Sequence, residues 1–248
     1  MEALLKKLKD YSRFLELEDS IPYWESQIPE LEDRLAEMQF NRKQKELELL
    51  QLKEPNFLQR VFGRAEGKKE RIGHQLREIT AAQTAAQWEL NSLRKKIGAG
   101  RQELDSLACS REVYEAARDE AVLSPAQESR LMMEQISAFA PVAMETACRA
   151  LEILEDAHLW MRKDAITTRV GEGNRKMECL YLAQDCTRRL LRILAALPEG
   201  VASPGSSFEN LYGYICGVTS EYKQLDRLET VQEQLRTFRN QLKLVLGE

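Results

Sequence analysis

The chain has 248 residues, enough for one large or two ordinary domains, and its 31 % charged and 7 % aromatic residues, 12 glycines and 7 prolines fit solvated helices better than sheets. A formal charge of −4, with Lys and Arg interspersed among Glu and Asp, argues against a general nucleic-acid binder. Residues 1–17 carry charges throughout, no run of about 18 apolar residues occurs, and five cysteines without CxxC spacing form no disulfide framework, so a cytoplasmic, reducing location is expected.

The first element is a helix over residues 2 to 17 with Leu4, Leu8, Tyr11 and Leu15 on one face. Asp19, Ser20 and Pro22 interrupt its register, and Ser20 can cap a new helix entered through Pro22. Pro29 predicts a kink or restart near residues 26–29, because an internal proline removes a hydrogen bond and crowds the preceding turn.

Two heptad ladders then follow. Ile21, Trp24, Ile28, Leu31, Leu35, Met38, Arg42, Lys45, Leu49 and Leu52 alternate steps of three and four, the spacing of a seam between two helices. A second ladder runs through Ile72, Leu76, Ile79, Gln83, Ala86, Leu90, Leu93, Ile97, Gly100 and Leu104, and its register continues to Ala121. Paired from Leu52 with Ile72 outward to Ile21 with Leu104, the residue numbers always sum to 124 or 125. One antiparallel coiled-coil hairpin satisfies every layer.

Within that hairpin the second helix is predicted to run unbroken from about residue 65 to 121, through Gly98 and Gly100. Gly100 falls opposite Trp24, where a missing side chain makes room for the largest one. Arg42, Lys45 and Gln83 form a polar layer that can fix the register, with Glu46 and Glu78 as candidate partners for its cations. Leu4, Leu8, Tyr11 and Leu15 are expected to meet Leu107, Tyr114 and Ala121.

Ser124, Pro125 and Gln127 read as a new helix start, with the amide placed to reach back to the cap. Beyond it the sequence predicts helices over 125–139 and 141–169, a turn at 171–174, a helix to about Leu197, and a last helix capped by Ser207 and reaching Leu246. Ala140, Ala143, Ala147, Ala150, Leu154, Ala157 and Met161 make a small-residue seam that lets two helix axes approach closely. The fold class is therefore all-α: an N-terminal helix (1–19), an antiparallel hairpin (20–121) with its tip at 54–67, and a helical bundle (122–248).

No constellation for catalysis stands out. Glu155 and His158 supply one Glu-x-x-His pair, but a carboxylate di-iron site needs two, and the only other histidine, His74, follows Arg71 by three. Cys179 and Cys186 are seven apart, too far for one zinc without ligands from another helix. Neither phosphate-loop motif is present, and the glycines at 171 and 173 lack a preceding strand. No enzyme activity, catalytic residue, metal or cofactor is expected.

The hairpin tip is the surface with most to offer. Phe57, Leu58, Val61 and Phe62 would gather on one side of a short helical turn, and between Lys53 and Arg77 seven basic residues, among them Arg60, Arg64, Lys68 and Lys69, face three acidic ones. Apolar groups beside cations suit a protein partner or an anionic membrane surface. They could equally fold back as a cap on the end of the seam. The expected function is a non-enzymatic scaffold or protein-interaction module presenting this tip, with peripheral membrane binding as the alternative. A second copy of the chain is a further candidate partner.

Overall fold

The structure, a computed structural model, describes residues 1–52, 64–164, 172–198, 200–201 and 206–247. Every regular element among them is helical: α1 (Glu2–Gln51), α2 (Arg64–Ser106), α3 (Ser110–Asp119), α4 (Pro125–Asp164), α5 (Glu172–Ala195), a 3-10 turn (Ser206–Phe208), α6 (Leu211–Cys216) and α7 (Glu221–Leu246). The chain divides into two compact units, residues 21–102 and residues 1–20 with 103–248. No described helix is long and apolar enough to cross a membrane.

The unit of residues 21–102 is the antiparallel hairpin in the register that the ladders specify. Leu35, Ala86 and Leu90 form a buried cluster against which Ile28 and Leu31 pack. A Cβ built on Gly100 would lie 3.4 Å from both the Trp24 ring and Ile21, so the glycine does make room for the indole, whose face also carries the Lys96 ammonium at 3.9 Å. Ion pairs brace one flank of the seam: Arg101 with Glu25 at 2.6 Å and Arg94 with Glu32 at 2.5 Å. The polar layer is solvated rather than buried, since Arg42 is exposed and pairs with Glu46 at 2.8 Å. Lys45 pairs with Glu48 at 3.0 Å, while Glu78 lies 3.4 Å from His74 instead.

Several helix boundaries differ from those the sequence predicts. The helix predicted to stop at residue 17 continues as α1 through Asp19, Ser20, Pro22 and Pro29. Asp19 and Ser20 are not caps but core residues, 0 % and 1 % exposed, and tertiary packing of the flanking turns offsets the roughly 3 kcal/mol that an internal proline costs. The helix predicted to reach 121 ends at Ser106, where the Ser106 hydroxyl donates to the Glu103 carbonyl at 2.6 Å and the Leu107 N–H is shared between Glu103 and Leu104 at 3.1 Å each. That tightened turn separates α2 from α3.

Conversely, Pro141 does not split α4, which runs unbroken from Pro125. Its start is the predicted one, with Gln127 Oε1 accepting from Ser124 N and Oγ at 3.0 and 3.1 Å. Gly173 and Asn174 belong to α5 rather than to a turn. The single last helix proves to be two: α6, capped by Asn210 accepting from the Gly213 N–H at 3.1 Å, ends at Gly217, and α7 begins after Ser220. Ser207 caps neither helix; its hydroxyl donates to Gln234.

The other unit is built around α4. Its seam of Ala140, Ala143, Ala147, Ala150, Leu154, Ala157 and Met161 is buried throughout, and α4 packs against α5 and α7, where Leu180, Leu190, Leu228 and Leu235 are fully buried. Residues 1–20 complete it through Leu4, Leu8, Tyr11 and Leu15. Tyr11 stacks on Tyr114 with 6.0 Å between centroids and meets Phe139 edge-on at 5.4 Å, the α3 contact expected for the first helix. Arg13 forks onto both oxygens of Glu103 at 2.8 and 2.9 Å.

Candidate interaction surface

Of the residues singled out at the tip, Phe57, Leu58, Arg60, Val61 and Phe62 lie outside the described residues. Arg64 opens α2. Lys68 is exposed and Lys69 half-buried. The seam closes just before the tip, with Leu52 and Ile72 both buried.

From that closed end back to the middle of the hairpin, large apolar side chains point outward. In a two-helix seam only every third or fourth residue is covered, and the outer positions are expected to be polar. Phe40, Leu47 and Leu50 of α1 occupy outer positions and are 60 %, 59 % and 55 % exposed, and Trp88 of α2 is 73 % exposed. A groove of about 700 Å³ runs along the same flank as the Glu25 and Glu32 ion pairs, floored by Leu35 and Gln83 and walled by Lys43 and Glu46 on one side and Thr84 and Trp88 on the other.

The larger cavity, about 990 Å³, belongs to the unit built on α4 and is lined by Tyr11, Phe14, Tyr114, Met132 and Leu197 together with several charged groups. Two of its arginines are engaged within the wall, Arg192 with Glu18 at 2.7 Å and Arg111 with Glu115 at 2.8 Å. Burial pushes both tyrosine hydroxyls up from their ordinary value, and Gln135 donates to Tyr114 at 2.9 Å. These groups satisfy one another rather than converge on a common point.

Deeper in the same unit lies a polar cluster at the residue where the sequence predicts a helix break. The Asp19 carboxylate accepts from Arg149 Nη1, from Arg189 Nε at 2.9 Å and from Thr146 Oγ1 at 2.9 Å. Arg149 also donates to Glu145. Charge of this kind is costly to desolvate unless it is paired and hydrogen-bonded, and two guanidiniums from α4 and α5 meet that condition. The cluster ties residue 19 to both helices.

Burial tunes the two thiols singled out in the sequence away from reactivity. Burial, followed by the nearby Asp19 carboxylate, pushes Cys186 up to about 12, and burial pushes Cys179 up to about 11. A thiolate, not a thiol, attacks or ligates, and neither is ionised near neutral pH. His158 lies 3.2 Å from Glu229, and Glu155 lies 3.6 Å from Arg236, so the Glu-x-x-His pair is divided between two partners on α7. Among the described residues no group of three His, Cys, Asp or Glu side chains could hold a metal ion.

No family model, no curated protein and no solved structure matches this chain.

Proposed function

We propose that the protein is a non-enzymatic helical scaffold whose hairpin carries the interaction surface, with the tip-ward end engaging a protein partner. The observation that supports this reading is the outward exposure of Phe40, Leu47, Leu50 and Trp88 on a hairpin whose seam is already closed. A hairpin serving only as a spacer needs no aromatic side chain in water, and tryptophan with apolar neighbours is the composition of interface centres. The basic residues of α2 next to the tip, Lys68, Lys69 and Arg71, would add attraction for an acidic partner surface.

The same composition fits the rival reading, peripheral contact with anionic lipid through the tip. Two experiments on the natural chain and a Phe57→Ser, Phe62→Ser variant separate them. Affinity capture from the native cell is expected to recover a partner with the natural chain and to lose it with the variant. Co-sedimentation with anionic vesicles is expected to show no salt-sensitive binding; binding that the variant loses would overturn the protein reading in favour of the membrane.

A further inference from the structure

We infer that the flank groove of the hairpin takes a second copy of the same hairpin, the two pairing about a two-fold axis parallel to their length to make a four-helix bundle. The inference deepens the proposed function by naming one partner of the hairpin, and it rests on three features of residues 21–102.

The first is charge depletion. In a chain that is 31 % charged, residues 79–93 of α2 contain one charged residue, Glu89. Thr80 and Thr84 turn their hydroxyls back to the carbonyls of Leu76 and Thr80 at 2.8 and 2.9 Å, which engages their donors within the helix. Exposed Ala81, Thr84 and Trp88 thus form an uncharged helix face about 15 residues, or roughly 22 Å, long.

The second is charge complementarity between the two sides of the flank. The α1 side carries Glu25, Glu32, Asp33 and Glu46 against Arg42 and Lys43, whereas the α2 side carries Arg77, Arg94, Lys95 and Arg101 against one acid, Glu70. Glu25 with Arg101, Glu32 with Arg94 and Glu46 with Arg42 already pair within one hairpin, so a second copy extends these pairs into a shared network rather than supplying missing partners. A two-fold axis along the hairpin lays α1 of one copy on α2 of the other, acidic on basic, twice over. Every neighbouring pair of helices is then antiparallel, the usual arrangement of an up-and-down four-helix bundle.

The third is shape. The same operation carries residue n of α1 onto the level of residue 124 − n of the partner's α2. Trp88 therefore meets Ala36, an exposed alanine with no bulk to oppose it, and Lys43 meets the level of Ala81. A large and a small side chain at the same level on one surface suit a self-complementary interface.

A contact of this length is at the small end of stable interfaces, so pairing is expected in the upper range of protein concentration. The test is sedimentation equilibrium of the full chain across a concentration series. The natural chain is expected to rise from 28.6 kDa towards twice that mass. Trp88→Ala and Ala36→Glu should each weaken the association by about tenfold or more, as truncating or burying charge against a central tryptophan does, with helical content and melting unchanged. Glu89→Ala, on the other side of α2, should leave it intact. A monomer at every concentration would overturn the inference, and so would a dimer that neither Trp88→Ala nor Ala36→Glu weakens. Either failure is distinguishable from failure of the tip reading, which is read on Phe57→Ser, Phe62→Ser with a different partner.

Discussion

Asp19→Asn should be the most destabilising conservative change in the unit of residues 1–20 and 103–248. It removes the carboxylate that Arg149 and Arg189 share, and their side chains are only 8 % and 11 % exposed, so water cannot take its place. Breaking a buried ion pair from one side costs about 3–5 kcal/mol, set against a whole-domain stability of about 5–15 kcal/mol. The companion variant replaces all three residues by methionine. Because it removes the desolvation cost with the charge, it should be less destabilising than Asp19→Asn alone, and neutral to stabilising if the methionines pack. Urea unfolding followed by Trp160 emission, with Trp24 and Trp88 replaced by phenylalanine so that one indole reports, gives both differences from the shift in midpoint at constant slope. A loss under about 1 kcal/mol for Asp19→Asn, or a triple variant worse than the single one, would refute the view that paired charge holds residue 19 in this core.

Gly98, with nothing within 4 Å of an added Cβ, should accept alanine with a gain of about 1 kcal/mol in thermal or urea stability. Gly100→Leu should cost about 1–3 kcal/mol, because Trp24 and Ile21 already stand 3.4 Å from where its Cβ would be. Alkylation at neutral pH should label exposed Cys109 and spare Cys179 and Cys186 until the chain unfolds, as peptide mass mapping would show. The raised Cys186 thiol also sets a pH dependence: its folded value lies above the ordinary 9.0, so its contribution is complete below about 9 and is lost as pH rises towards 12. Cys186→Ala should flatten that alkaline decline.

The parts of this fold legible in the sequence are those encoded within a few turns of helix. The alternation of three and four steps specifies the pairing of Leu35 with Leu90 and of Trp24 with Gly100, and Ser124 with Gln127 announces the start of α4. The differences share a cause. Asp19 resembles a helix stop because the groups that satisfy it, Thr146, Arg149 and Arg189, are 127 to 170 residues away. Local propensity makes Pro22, Pro29 and Pro141 into breaks, and packing on either side outweighs it. At the Ser106 break one hydroxyl shares the Glu103 carbonyl with the Leu107 N–H, a local detail with no periodic signal.

For the candidate surface, the flank ion pairs are within reach of the sequence. Glu25 with Arg101 and Glu32 with Arg94 each sum to 126, so the pairing rule that gives the seam gives them too once it is applied to the positions beside it. The outward Trp88 is equally visible two residues from Ala86 in the ladder. The aromatic residues of the tip stand out in composition alone, and that local signal hides the quieter one along the flank.

The central claim, that the hairpin rather than the bundle built on α4 carries the interaction, is tested most directly by photo-crosslinking in the native cell. A photoreactive residue would be placed at Leu50 or Trp88 of the hairpin, and at Tyr222 or Leu244 of α7 as controls that are more exposed still. Covalent adducts to protein from positions 50 and 88, and none from 222 and 244, are the predicted result. Adducts from the α7 positions alone would contradict it.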